Sequence, residues 1–252
     1  SYEHDRALLS RILVDEITGH LRLPRIFKLR MISRRQHTGF VLKDGVRPET
    51  RGHVEAGYRA ALAGMSVMLE SRPYLLGNAP SLADFGLMGP MFRHFGQDPT
   101  PAEIMRNEAP AVFDWLSRVW NARQTAPEPV FLTKVPEDAR ALLKEICQTH
   151  LVQLTENARA YARDARHFEM TVQGCRYLEL PVSRYRVYCL EQLRAAFSSL
   201  DADAQSEVRA LLPYPEADIL WQTDEVASSG YDEAGAAPFN KAINVYGDGV
   251  PE

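Results

Sequence analysis

Arg72-Pro73-Tyr74-Leu75-Leu76-Gly77-Asn78-Ala79-Pro80-Ser81-Leu82-Ala83-Asp84-Phe85 is the stretch on which the reading of this chain turns. Gly77-Asn78 is a turn signal. Ser81, followed three residues later by Asp84, has the spacing of a capping box, with aspartate in the place of the usual Glu or Gln. In that arrangement the Ser81 hydroxyl accepts from the Asp84 amide, and the Asp84 carboxylate reaches back to the Ser81 amide. Both residues are therefore read as a folding signal and not as catalytic groups. Removing either is expected to cost about 0.5–2 kcal/mol, as for other helix caps. The apolar run that follows, residues 82–95, is expected to form a buried helix.

Helical patterns extend on both sides of this stretch. Upstream, residues 49–71 are rich in strong helix formers such as Ala60, Ala61, Leu62 and Met65. Gly64 within them is either a weak point or a place where another helix packs closely. Leu8, Leu9, Ile12, Leu13 and Ile17 recur at helical spacing over residues 4–20. Pro24 should end that helix, residues 25–35 can continue as a second helical piece, and residues 38–48 read as a loop. Downstream, residues 101–107 suit a short helix. In residues 110–123, Val112, Trp115, Leu116 and Val119 form one apolar stripe. Residues 125–136, with Pro127, Pro129 and Pro136, read as a linker. Helices are expected over 137–164, 184–197 and 202–211, while residues 168–180 either hold a short hairpin or stay irregular. Beyond Pro213 the chain should be irregular and draped over the surface.

With 252 residues the chain has room for one large or two small domains. Its composition, 45% hydrophobic and 25% charged, is that of an ordinary globular protein. Cys147, Cys175 and Cys189 are widely spaced and form no CxxC pair, so neither a disulfide framework nor a zinc site is indicated, and a cytoplasmic setting is expected. No run approaches the roughly 20 apolar residues of a membrane span, and charged residues interrupt any leader-like start. A net charge of −4 does not point to nucleic acid. It does conceal an asymmetry. Arg22, Arg25, Lys28, Arg30, Arg34 and Arg35 fall between Ile17 and Leu42 without an acid, whereas the chain after Tyr214 is acidic with Lys241 as its one basic residue. The two segments could pair or each be solvated.

The run Tyr74-Leu75-Leu76-Gly77 to Pro80-Ser81-Leu82-Ala83-Asp84-Phe85 resembles the hallmark of the glutathione transferase C-terminal domain, in which such a turn leads into a capped helix of an all-helical bundle. Pro110-Ala111-Val112-Phe113-Asp114-Trp115 follows in the family order, and the likeness covers residues 2–123. It implies an all-α fold of glutathione-transferase C-terminal type over 1–124; beyond the likeness, the residues themselves read as an additional helical region over 125–212 packed on it and an acidic irregular tail over 213–252. It further implies that the intact protein conjugates glutathione, as co-substrate, to a small apolar electrophile, with a homodimer as the candidate assembly and with neither nucleic acid nor membrane as partner. The family's glutathione site lies mostly on a thioredoxin-like domain, and no such pattern precedes the first helix here. The catalytic residue is therefore not assigned, and this chain alone is expected to be inactive. The family's first helix forms one wall of the substrate pocket, which makes Glu16, His20 and the following Arg25 the substrate-binding candidates, against the simpler reading of a solvated face.

Other constellations carry less. Cys147 and His150 share a helix face, but two ligands make no zinc site, and no metal is expected. Tyr185, Tyr188 and Cys189 read as a packed face with arginines snorkelling outward. No GxGxxG, P-loop, HExxH or GxSxG is present in a fitting setting. The alternative function is a non-catalytic helical binding or scaffolding module that reuses the fold.

Overall fold

A computed structural model describes residues 3–123, 128–222 and 228–232. The chain is predominantly helical and carries one two-stranded sheet. In order come α1 (Glu3–Thr18), α2 (Arg25–Gln36), a π-helical turn at His37–Val41, α3 (Arg51–Leu69), α4 (Leu82–Pro90), a second π-turn at Met91–Phe95, α5 (Pro99–Glu108) and α6 (Pro110–Trp120). A continuous helical run follows: a 3-10 turn at Glu137–Ala139, α7 (Arg140–Ile146), a π-turn at Cys147–Leu151 and α8 (Val152–Ala162). β1 (His167–Val172), β2 (Cys175–Pro181), α9 (Arg184–Ser198), α10 (Ala202–Leu211) and a 3-10 turn at Pro215–Leu220 complete it.

The packing follows from the apolar stripes. α3 buries Tyr58, Leu62, Met65 and Met68 against Val112, Trp115 and Leu116 of α6. Gly64 faces α7: a Cβ there would lie 3.6 Å from the Leu142 amide nitrogen, an ordinary contact. The run from Glu137 to Ala162 then links three apolar cores. Ala139 belongs to the α3–α6 core, Cys147 to Ala158 pack with Leu190 and Ala217, and Ala160 packs beneath the hairpin.

One open expectation is resolved and three change. Residues 168–180 do form a hairpin: Phe168, Met170 and Val172 are buried at alternate positions of β1, and Gln173-Gly174 turn with φ of 49° and 81°, the left-handed pair a tight hairpin needs. A bulge between Phe168 and Met170 blurs the pairing, which obscures the pattern in the sequence. The expected loop over 38–48 starts as a π-turn continuing α2. The helix from Leu82 is not buried: Leu82 is 90% and Phe85 54% exposed, while Asp84 and Met91 face inward. An apolar run lacks the contrast that marks its inner side, and no described element covers this face. Pro90 also interrupts the amide ladder, and the helix continues as a π-turn. Finally, the chain after Pro213 is not wholly irregular. Pro215–Leu220 turns inward on a fully buried Ala217, and the Trp221 ring lies tilted against Phe197 with centroids 5.4 Å apart. The rest of the expected tail, residues 223–227 and 233–252, lies outside the described residues, as do residue 124 and residues 125–127 of the expected linker.

Residues 128–132 of that linker run alongside the 74–78 turn. Asn78 N donates to Val130 O at 3.1 Å, Val130 N to Asn78 Oδ1 at 2.7 Å, and Leu132 N to Leu76 O at 2.8 Å. A Cβ on Gly77 would stand 2.3 Å from Val130 O, so only glycine allows this approach. Arg72 closes the junction with a fork onto Asp138, at 2.7 Å to each carboxylate oxygen, while its Nε donates to Leu75 O at 2.7 Å.

Candidate functional site

The capped turn is closed by one carboxylate hydrogen-bonded on both oxygens. Asp84 is fully buried at the start of α4. Ser81 and Asp84 close the reciprocal capping box, with Ser81 N donating to Asp84 Oδ2 at 2.8 Å and the Ser81 hydroxyl donating to the same oxygen at 2.7 Å. The other oxygen, Oδ1, accepts from Leu75 N at 2.9 Å and from the indole Nε1 of Trp115 at 2.8 Å. One carboxylate thereby holds the turn, α4 and α6 together. Buried away from solvent and engaged on both oxygens, it is a structural group.

Separately, α1, α3, the π-turn after α4 and the start of α5 surround a cavity of about 480 Å³. Leu9, Val54, Met91 and Phe95 supply apolar walls, and Asp5, Arg51, His94 and Asp98 reach its lining from the surrounding elements. Tyr58 fixes one side: its ring stacks on Phe95 at 4.4 Å, and its hydroxyl donates to Pro101 O at 2.9 Å. Asp5 is held by α5, accepting from Thr100 N at 2.9 Å and Thr100 Oγ1 at 3.0 Å. Burial pushes the Asp98 carboxyl above its usual range; Asp5 adds to the rise, and His94 and Arg93 oppose it. An apolar cavity with a few convergent polar groups and a perturbed carboxyl is the usual form of a small-molecule site.

No family model matches the chain, and no curated protein or solved structure matches it either. The site is therefore judged on its own geometry.

Glu16, His20 and Arg25 are all exposed. Glu16 pairs with Arg93 at 3.0 Å and Arg25 with Asp15 at 2.8 Å, and none of the three is among the residues lining the cavity. From the same first helix, Asp5 and Leu9 line it instead. Their inward direction follows from packing on α3 and α5, and the only sequence signal for it is their one-turn spacing. Among the described residues no group of three or more metal-ligating side chains comes together.

A second polar chain escaped the sequence reading entirely. Tyr177 of β2 donates to His53 Nδ1 of α3 at 2.6 Å, His53 Nε2 donates to Gln173 Oε1 at 3.1 Å, and Gln173 Nε2 donates to Glu145 Oε2 of α7 at 2.9 Å. The tautomer follows because a carbonyl oxygen only accepts. Burial, reinforced by Cys175, pushes the Tyr177 hydroxyl up to about 12. This chain ties the hairpin to α3 and α7. The hairpin also closes on Gly45, where φ is 78° and a Cβ would meet Leu180 at 2.7 Å and Tyr177 at 2.8 Å. Cys147 is buried and its thiol is pushed up to about 11, chiefly by desolvation and then by Glu216, which disfavours the nucleophilic thiolate.

Proposed function

We propose that this chain is the helical, substrate-side part of a glutathione-transferase-like protein, and that the cavity between α1, α3 and the π-turn after α4 receives the apolar body of an electrophile. The observation that carries the reading is the cavity itself: about 480 Å³, mostly apolar, walled by the first helix and by the continuation of the capped helix. That volume lies within the roughly 300–1,000 Å³ of small-molecule sites. The chain's own contribution is binding and orientation. Its apolar walls exclude water from the electrophile, and Asp98 and His94 meet polar groups on it. Glutathione, as the co-substrate, would attack as its thiolate, activated by groups outside this chain. The exposed apolar face of α4, with Leu82 and Phe85, supports an intact protein in which a thioredoxin-like half covers that face.

A titration with a neutral apolar fluorophore such as N-phenylnaphthylamine tests the cavity. Saturable binding is expected, weakened at least about tenfold by Val54→Trp, which fills the mouth, while the melting curve stays unchanged. Equal binding by the variant would remove the cavity as the site. Calorimetric titration with glutathione should give no binding to this chain alone, and glutathione conjugation by this chain alone would refute the division of labour. A scaffolding module is the second reading, favoured by the same uncovered α4 face. It gains if a version extended by a thioredoxin-like half also fails to bind glutathione.

A further inference from the structure

Helix α2 presents an outer surface that the transferase reading does not use. Ile32 is its buried residue, and Ser33 meets Ser10 of α1 at 3.1 Å between hydroxyl oxygens, so this side seats α2 on α1. The side turned away from α1 carries Phe27, 62% exposed, and the exposed Met31, interleaved with Arg30, Arg34 and Arg35; Ile26, seven residues before Ser33 and so on Ser33's side of the helix, is 72% exposed. Phe27 and Met31 floor a shallow groove of about 460 Å³, rimmed by the three arginines and Thr38. Among the described residues Arg22, Lys28, Arg30, Arg34 and Arg35 enter no ion pair; Arg25 alone of this basic segment is neutralised, by Asp15. Arg35 leans over the Phe40 ring at 5.3 Å, keeping its charge on the outer side.

Large apolar side chains at high exposure beside unpaired guanidinium groups form a surface that is favourable only against something both anionic and apolar. A second copy of this chain would bring like charges together. Nucleic acid answers the charge but leaves Phe27 and Met31 in water. The segment 233–252 of this chain holds Glu233, Asp248 and Glu252 against Lys241, too little negative charge to match the helix.

We infer that α2 is a peripheral membrane-docking helix that lies on an anionic phospholipid bilayer, with Phe27 and Met31 entering the headgroup boundary and Arg30, Arg34 and Arg35 on the lipid phosphates. This goes beyond the transferase reading and departs from the expectation of no membrane partner. It is compatible with the finding that no described helix is long and apolar enough to cross a membrane.

Vesicle sedimentation of the full chain tests it. The chain should pellet with phosphatidylcholine vesicles containing phosphatidylserine and stay in solution with phosphatidylcholine alone, with binding weakened by salt. Each cation at an anionic surface strengthens partitioning about fivefold, so Arg30→Gln with Arg34→Gln should weaken it about 25-fold. Phe27→Ser should weaken it about tenfold by removing the inserted ring. These positions are exposed, and circular dichroism melts of the variants should match the parent curve. Failure to pellet with anionic vesicles overturns the inference. So does binding that depends on the arginines, ignores Phe27→Ser and is competed fully by an oligonucleotide, which marks a polyanion surface. Lack of vesicle binding together with a dimer abolished by Phe27→Ser assigns the face to a second copy and also overturns it. Because α2 does not line the cavity, fluorophore binding should persist in all these variants, so the two readings fail separately.

Discussion

Replacing Asp84 by alanine should destabilise the protein far more than the loss of a helix cap. A cap alone accounts for about 0.5–2 kcal/mol. Asp84 also accepts from the Leu75 amide at 2.9 Å and the Trp115 indole at 2.8 Å, and Asp84 and Trp115 are both fully buried. Without the carboxylate these two donors lose their acceptor where water does not readily replace it, at about 1–3 kcal/mol each. Removing a buried carboxylate returns part of that, since its own desolvation disappears. The net expectation is about 3–4 kcal/mol. Urea unfolding followed by tryptophan fluorescence measures it, with Trp115→Phe and the double variant completing a cycle. Trp115→Phe should lose about 1–2 kcal/mol, and the two changes should couple by about 1 kcal/mol because they share one hydrogen bond. A loss below about 1 kcal/mol for Asp84→Ala, or strict additivity, would refute the view that one carboxylate locks the turn, α4 and α6 together.

Two further outcomes follow from the junction around α7. The Arg72 guanidinium holds the Asp138 carboxyl below its usual range, chiefly through their hydrogen bonds. A depressed folded value means that the pair's contribution, about 1 kcal/mol after allowance for partial exposure, is fully present above the unfolded value near 4 and is lost as pH falls through the folded one. Thermal melts from neutral to acid pH should show a shallower decline in Arg72→Met than in the wild type, and parallel curves would argue against it. At Gly64, where an added Cβ makes only ordinary contact with Leu142, Gly64→Ala should stabilise by about 0.5–1 kcal/mol through helix propensity. A lowered denaturation midpoint would show that α3 and α7 are closer than that contact distance.

What was legible in the sequence was local. The stripe Val112, Trp115, Leu116 and Val119 marks the buried side of α6, since side chains three and four apart share a helix face. The Ser81–Asp84 spacing marks the start of α4 because a cap joins groups three residues apart. Leu82 and Phe85 show where this reasoning ends. Their apolar character is plain, but whether a helix face is buried depends on what docks against it, and no described element covers these two. The hairpin was half legible, with alternation in β1 and a bulge in its pairing.

Tertiary structure alone decided the rest. Trp115 reaches Asp84 across 31 positions, His53 meets Tyr177 across 124, and Asp5 caps α5 across 95. The cavity likewise draws on four separate elements, which is why Asp5 and Leu9 line it while Glu16, His20 and Arg25 stay in solvent. Periodicity and capping chemistry act within one or two helical turns, so the sequence by itself marked most of the helices and where they start, though not the π-turn at His37–Val41. Which donor finds which acceptor, and which apolar face is left open, is decided only when those helices pack, because burial and hydrogen bonding are properties of the assembled neighbours.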